Sequence, residues 1–379
     1  MRIEKINTYH LRSTLDVPFG FSQFYYTNRE NLLVEVVMED GISGWGECYG
    51  PVAPTQAAIE KHIAPLVVGE HCLDHELIWH KVWTRYMDWS RYGIFIAALS
   101  GIDIALWDLK GKILNQPLYR LLGGTAHDRI PCYATGHYFR NLAEDELIEC
   151  IIDEAHSYTS QGFDALKLKI GKNLDFDKRL LKKIRGEFPA MLLMADANHA
   201  FSYNEALQVG RILEENGYSF FEEPVAPHAY EDLARLRSRL DTAIATGESE
   251  QTRFGFRRLI ESEAVDIIQP DLSFCGGISE GLKIRTLANA YNVDVTPHAW
   301  GTWIGFSAAL HFHATNLPNP GRHEAKILRL ECDNSEHPIK SECFSKMIAI
   351  EDGFAVLPQG PGLGIEVDKN ALKKFEVMQ

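Results

Sequence analysis

The 379-residue sequence is short of positive charge, with 38 Lys and Arg against 52 Asp and Glu and a formal net charge of −14. No long basic stretch compensates locally. The chain therefore repels phosphate backbones and anionic lipid surfaces, which argues against a nucleic-acid or membrane partner. It also lacks any run approaching the roughly 18–20 apolar residues of a membrane span. Its first residues, Met1-Arg2-Ile3-Glu4, contain no apolar core of a secretory signal, so none is expected. Cysteine is sparse and scattered: Cys48, Cys72, Cys132, Cys150, Cys275, Cys332 and Cys343 form no C-x-x-C pair. In a chain long enough to build its own core, an odd set of this kind reads as reduced thiols in a cytoplasmic protein. H-E-x-x-H does not occur. Gly360-Pro-Gly-Leu-Gly364 lacks the G-x-G-x-x-G spacing and opens no helix, so it reads as a turn. His311-Phe-His313 lies in a helical run, where residues two apart face different ways, and core packing is the expectation.

What is present is a globular composition, 45% hydrophobic and 24% charged, on a chain too long for one small domain. Ile3–Leu11 reads as a strand, and Leu32–Met38 and Ile42–Cys48 as a hairpin about an Asp-Gly turn. Helical periodicity follows over Gln56–Val68, Leu77–Tyr86 and Ile94–Leu114. Strands followed by helices predict a segregated α+β domain over residues 1–125. Short apolar strands then alternate with amphipathic helices: Ala165–Ile170, Leu192–Ala195, Ser219–Phe221, Thr242–Thr246, Ala264–Ile268, Val293–Thr296 and Ile327–Leu330. Seven or eight such units predict a closed (β/α) barrel over residues 126–335. A last hairpin, Ile348–Glu351 with Phe354–Leu357, does not extend that pattern, so residues 336–379 are expected to return to the first domain.

A residue able to do chemistry stands at the end of each barrel strand: Lys167 and Lys169, Asp196 with Asn198, Glu222, Glu248, Asp271, His298 and Glu331. They recur every 23–33 residues, one strand–helix unit apart. An isolated acidic residue after a strand often does no more than cap a helix. A periodic set converges on one barrel face, where such folds keep their active sites. Asp196, Glu222 and Glu248 would repel one another without a hard cation between them, and oxygen-only ligation suits Mg²⁺. Lys167 and Lys169 share one face of their strand, with Leu166, Leu168 and Ile170 on the other. Placed inside a barrel, two adjacent cations should lower each other's pKa, so that one can serve as a base; on an edge strand they would be solvated. Gly171 and the apolar neighbours favour the interior. Asp271 beside His298 would fix the imidazole tautomer for general-base work. Glu331, if its pKa is raised, could donate a hydrogen bond to an oxyanion; Glu324, seven residues upstream, competes for that role.

These residues carry a resemblance. Lys167-Leu-Lys169, Asp196-Ala-Asn198, Phe221-Glu222-Glu223-Pro224, Gly247-Glu248, Gln269-Pro270-Asp271, Thr296-Pro297-His298 and the segment Ala98–Gly111 resemble the enolase superfamily, in its mandelate-racemase-like subgroup, along essentially the whole chain. The resemblance implies an α+β capping domain on an enolase-like (β/α)7β barrel, with one Mg²⁺ per active site. It implies removal of the proton α to a carboxylate, with Lys169 serving one face of the substrate, His298 and Asp271 the other, and Lys167 holding the carboxylate. Loss of a β-oxygen from the resulting enediolate gives dehydration, or cycloisomerisation when that oxygen belongs to a ring. Reprotonation gives racemisation or epimerisation. Asp196–Phe201, Tyr133–Gly136, Glu222–Pro227, His298–Gly301 and the Glu331-Cys-Asp tail look most like cycloisomerases of acid-sugar lactones and anhydro-sugar acids, though acid-sugar dehydratases share most of them. The partner implied is a small sugar acid, and the assembly a homo-oligomer. A barrel kept for binding without catalysis is the remaining alternative, opposed by the intact lysine pair, carboxylate triad and His–Asp pair.

In such a subgroup two cap loops choose the substrate, here Val17–Asn28, with Tyr25, and Glu47–Pro54, with Tyr49. Their aromatics either close over the site or pack the cap. Trp300 and Trp303 either line the pocket or join the core. His199, next to Asn198, faces the pocket or is structural.

Overall fold

The computed structural model describes residues 1–317 and 327–377. Its first unit is an antiparallel sheet, β1 (Ile3–Gly20), β2 (Tyr25–Met38) and β3 (Ser43–Cys48), in that order. Chain reversal at Glu39-Asp-Gly41 follows the sequence: Gly41 takes the positive φ of 85° that the tight β2–β3 turn needs. Helix Ile94–Ile113 lies across this sheet with most of its length buried, because it is apolar on nearly every face.

Contact with that helix is close. Gly44 and Gly46 on β3 face the helix backbone, and a β-carbon at Gly46 would lie 1.8 Å from the Gly101 carbonyl oxygen. The expected loop Val17–Asn28 is instead the tip of a long hairpin. Β1 runs on to Gly20 past an irregularity between Thr14 and Phe19, and only Phe21–Phe24 turns. Pairing continues because Phe19 and Tyr26 pack with Leu15 and Tyr138 in a small cluster that favours extended backbone.

The second unit has eight strands: β4 (Arg129–Thr135), β5 (Ala165–Lys169), β6 (Leu192–Asp196), β7 (Phe220–Glu222), β8 (Ala243–Thr246), β9 (Ile267–Ile268), β10 (Asp294–Val295) and β11 (Leu330–Asp333). β4 to β10 pair in parallel in chain order, and β11 pairs with β4 from the other side. Thr296 Oγ1 donates to the Arg329 carbonyl at 2.9 Å, linking the ends of β10 and β11. Among the described residues seven helices connect the eight strands, the (β/α)7β arrangement.

β4 was not among the predicted strands, since Pro131 interrupts its apolar pattern. β11 begins where its predicted counterpart, Ile327–Leu330, ends. The strand is the buried and partly charged Leu330-Glu-Cys-Asp333 rather than the apolar residues before it. Glu324 lies outside the described residues. His311 and His313 are buried in helix Trp303–Ala314, as expected of core residues.

Layering inside the barrel follows from strand periodicity. Ala165, Met194, Phe220, Ala245 and Ile267 form an apolar plug with Tyr133. Two residues further along β5, β6 and β7, the same face carries Lys167, Asp196 and Glu222. A charged layer thus sits on an apolar floor.

The chain after residue 336 does not simply return to the cap. Its hairpin, made of β13 (Ile350–Glu351) and β14 (Phe354–Val356), follows β12 (Phe344–Lys346) and adds to β4 of the barrel, with Phe354 opposite Pro131. An edge at the start of β4 was open to it. Other parts of the tail do return to the cap: the Leu118 amide donates to the Gly362 carbonyl at 2.9 Å, the Leu363 amide to Asp108 Oδ1 at 2.8 Å, the Arg12 amide to the Phe375 carbonyl at 2.8 Å and the Val377 amide to the His10 carbonyl at 2.9 Å.

The β3–helix contact sets a stability test. Gly46→Ala should destabilise the fold by about 1–3 kcal/mol, the usual penalty of overpacking, lowering the midpoint of chemical denaturation. An unchanged midpoint would mean that the helix can move off the sheet at no cost.

Candidate active site

Lys167 and Lys169, buried on β5, point into the barrel as expected. Lys167 Nζ lies 2.7 Å from Glu222 Oε1, 2.8 Å from Glu331 Oε1 and 3.8 Å from Asp196 Oδ2. Lys169 Nζ lies 2.5 Å from Asp196 Oδ2 and donates to Asn198 Oδ1 at 2.9 Å. Asp196, Glu222 and Glu248 each bring one ligand atom to within 4.8 Å of the others. His298 Nδ1 pairs with Asp271 Oδ2 at 2.7 Å, while its Nε2 lies 3.3 Å from Glu248 Oε2. β5 carries the lysines and β10 precedes His298; with β4 and β11 between them on the shorter way round the barrel, the two sets of basic groups stand on different walls.

The lysines are not depressed. Burial alone would lower their pKa values, but Glu222 and Glu331 hold Lys167 well above the usual lysine value, and Asp196 does the same for Lys169. The expected mutual repulsion is outweighed because carboxylates stand closer to each ammonium than the other lysine does. Glu331 also differs from expectation. Burial would raise its pKa, yet Lys167 and then His298 take it down to about 2, so it is an ionised acceptor that cannot donate to an oxyanion. It accepts from Lys167 and from the Ala299 amide, the latter at 3.1 Å. His298, which burial would drive down, is held up to about 10 by Glu248, Glu331 and Asp271.

These shifts share one cause. Asp196, Glu222, Glu248, Asp271 and Glu331 meet Lys167, Lys169 and His298, an excess of two carboxylates in a buried layer, with Glu223, paired with His199, beside them. Glu222 shows the strain: burial, aided by Asp196, Glu331 and Glu248, pushes its carboxyl up to about 7 despite Lys167. An all-oxygen donor set with a residual double negative charge fits one hard divalent cation.

A cavity of about 520 Å³ lies between cap and barrel and meets the charged layer at Asp271 and His298. Its wall includes Tyr49, whose ring lies 5.6 Å from that of His298, and Trp300, 5.2 Å from Tyr26. Tyr25 is not part of it. It stands opposite Gly20 on the other face of β2, 42% exposed, and Tyr26 occupies the cavity side, since neighbouring strand residues face opposite ways. His199 does not line the cavity; it pairs with Glu223 at 3.0 Å and with the Val225 carbonyl at 3.1 Å. Asn198 sits at positive φ (43°) beside Lys169, its backbone amide donating to Asp196 Oδ1 at 2.9 Å. Trp303 packs on Phe306, away from the cavity.

Several residues were missed. Gln269 donates to Glu222 Oε2 at 2.8 Å and orients that carboxylate. The buried Glu47 accepts from Asn31 Nδ2 at 2.9 Å, Thr302 Oγ1 at 2.7 Å and the Gly305 amide at 2.9 Å, tying the cap to the loop after His298. Cap and barrel also meet where Ser22 Oγ and Gln23 Nε2 donate to the Asn198 carbonyl at 3.2 and 2.7 Å. Gln269 adjoins the Pro-Asp motif and so carried a signal; Glu47 carried none, because its partners are distant in sequence.

Comparison with known proteins agrees with this layout. Residues 5–123 match the N-terminal domain of mandelate racemase / muconate lactonizing enzyme, and residues 151–371 match the enolase C-terminal domain-like model. The chain belongs to the mandelate racemase / muconate lactonizing enzyme family of the enolase superfamily. It is 36% identical to D-galactarolactone cycloisomerase of Agrobacterium fabrum over 100% of this chain and 99% of that one. It is 35% identical to arabinonate dehydratase of Saccharolobus solfataricus, over 92% and 91% of the two chains. The crystal structure of 3,6-anhydro-D-galactonate cycloisomerase from Zobellia galactanivorans superposes with a TM-score of 0.90 at 39% identity, each chain fully covered.

The triad's charge predicts how this family member binds its ion. A proton on Glu222 competes with a cation, and its pKa is raised to about 7. Mg²⁺ affinity measured by calorimetry should therefore be nearly constant above about pH 7 and fall roughly tenfold per unit below it. A fall beginning only near pH 4.5 would show that the Glu222 carboxyl is not raised by its neighbours.

Proposed function

We propose that the chain is a Mg²⁺-dependent enzyme that removes the proton α to the carboxylate of a sugar acid and then expels a ring oxygen from the β-carbon, a cycloisomerisation. The observation that carries this reading is the placement of Lys167–Lys169 and His298–Asp271 on different walls around one carboxylate triad. Asp196, Glu222 and Glu248 would hold the ion, which supplies positive charge to the enediolate and relieves the carboxylate charge on Lys169 and His298.

Lys167 then faces the substrate carboxylate, and Lys169, which would give up its own proton once the ion offsets the charge of Asp196, takes the α-proton on Nζ as a neutral amine. Breaking the C–H bond leaves its electron pair in the enediolate. That pair forms the Cα–Cβ double bond as the β-carbon–oxygen bond breaks. His298, held as an imidazolium by Asp271, gives its proton to the departing oxygen, and the enol returns to a keto acid of unchanged mass. Tyr49 and Trp300 close the wall, with the cap excluding water. Asn198 positions Lys169.

The 35% identity to a dehydratase supports a second reading, loss of water from the same enediolate. We place the cap within residues 1–125 and the barrel within 126–335, and the enzyme in the cytoplasm, in keeping with seven free cysteines. Among the described residues no helix is long and apolar enough to cross a membrane. The exposed apolar set Leu77, Met87, Trp89, Tyr92 and Phe254 supports a homo-oligomer.

Incubation of the Mg²⁺-loaded enzyme in D₂O with an aldarolactone, an anhydro-sugar acid and open-chain sugar acids tests the reading. Exchange at the α-carbon with a product of unchanged mass is expected; loss of water would favour dehydration. Lys169→Met and His298→Asn should each keep the fold and reduce turnover by about 10²–10⁴-fold. Normal turnover in both variants would overturn the assignment.

A further inference from the structure

His298 and Asp271 come from different loops of the barrel, and one short piece of the cap grips both. Glu47, near the end of β3, is buried, and both its oxygens are turned to donors of the protein. Oε1 accepts from Asn31 Nδ2 at 2.9 Å and from the Thr302 amide at 3.0 Å. Oε2 accepts from Thr302 Oγ1 at 2.7 Å and the Gly305 amide at 2.9 Å, and shares the Thr302 amide at 3.1 Å. Thr302 caps helix Trp303–Ala314, so Glu47 is the anion at the positive end of that helix. Two residues after Glu47, the Tyr49 amide donates to the Ser273 carbonyl at 2.9 Å. The Ser273 amide in turn donates to Asp271 Oδ1 at 2.7 Å, and Asp271 Oδ2 pairs with His298 Nδ1.

The fit around Glu47 leaves little slack. A β-carbon at Gly301 would lie 2.7 Å from Glu47 Oε1, and one at Gly305 would lie 3.1 Å from both Glu47 Oε2 and Ser273 Oγ. Gly305 is thus where the two grips meet. Burial raises the Glu47 carboxyl pKa, and the hydrogen bonds from Thr302, Gly305 and Asn31 oppose that. A proton on either oxygen would face hydrogen-bond donors, so the site is built for the ionised form. The other wall is held differently. Lys169 donates to Asn198, and the cap reaches Asn198 through Ser22 and Gln23. Each basic wall therefore has its own contact with the cap, and one can be loosened without the other.

We propose that Glu47 is a positioning residue for the His298–Asp271 pair: it fixes the wall from which the departing β-oxygen receives its proton and leaves the Lys169 wall to other contacts. This rests on the proposed reaction, in which Lys169 removes the α-proton and His298 serves the β-oxygen. With Glu47 altered, the α-proton still comes off, but the bond to the β-oxygen breaks more slowly. The enediolate then takes a proton back from Lys169 and returns to substrate. The ammonium hydrogens of Lys169 exchange with solvent, so in D₂O the recovered substrate carries deuterium at the α-carbon.

The test uses the Mg²⁺-loaded full chain in D₂O, with whichever aldarolactone, anhydro-sugar acid or open-chain sugar acid the unaltered enzyme converts. Glu47→Gln keeps the size of the side chain but turns an NH₂ group toward the donors of Thr302 or Gly305. Keto-acid formation should fall by about 10²-fold, the scale of loss for a misplaced catalytic group. The ratio of deuterium in recovered substrate to product should rise by about tenfold. Thr302→Val removes one donor to Glu47 at a residue that does not border the cavity, and should raise the same ratio by about threefold. It decides the matter if circular dichroism shows that Glu47→Gln does not fold. Product loss in a folded variant with the ratio unchanged would mark a merely structural role and overturn the inference. So would product formation at the unaltered rate. Failure of the unaltered enzyme to eliminate from any of these acids overturns the functional reading instead, and the positioning role falls with it.

Discussion

The structure turns on an imbalance of charge in one buried layer. Five carboxylates meet three basic side chains above the apolar floor of the barrel, and each is too well buried for water to screen it. Buried ion pairs seldom add net stability, since the desolvation of both partners offsets their attraction. Such a layer is therefore better understood through what it holds than through what it contributes to folding. Lys167 alone touches Glu222 and Glu331 and lies near Asp196, and the Asp196–Lys169 contact continues the network. The geometry of each group is fixed by its neighbours before any ligand arrives, which is the preorganisation that electrostatic catalysis needs. The residual negative charge is the feature that makes a divalent ion part of the design.

The cap has a place in the same logic. Its hairpin tip rests on the Asn198 carbonyl, and Asn198 in turn orients Lys169. Its Glu47 accepts from the loop that follows His298, at the start of helix Trp303–Ala314. One cap contact therefore reaches each of the two walls that carry basic groups. The lid is coupled to the groups it covers, and a cavity that excludes water and the positioning of its bases become a single structural property.

How much of this was legible in the chain depends on the range of the interactions. The barrel strands and the carboxylate triad were readable because period-two strands repeat at the length of one strand–helix unit. Lys167, Asp196 and Glu222 each occupy the same step of that repeat. What failed depended on contacts distant in sequence. The pKa directions of Lys167, Lys169 and Glu331 are set by which opposite charges face them across the barrel, and intervals along the chain do not report that. As a loop, the aromatic run gives no way to tell Tyr25 from Tyr26. Once β2 is seen to extend through it, alternation assigns Tyr26 to the cavity. The hairpin at Ile350–Val356 was readable as a hairpin, but its partner β4 was hidden by Pro131.

The net charge of −14 and the chemistry of the site bear on each other more closely than a count suggests. An overall negative field opposes the approach of any sugar acid, so attraction must be generated locally and over a short distance. The lysines do not supply it by themselves, being tied to Glu222, Glu331 and Asp196. Only when a cation satisfies the triad does the layer cease to be negative overall, and only then can a substrate carboxylate approach without opposing charge. Ion and substrate are thus ordered by electrostatics: the same carboxylates that repel the anion from the bare layer recruit the charge that admits it.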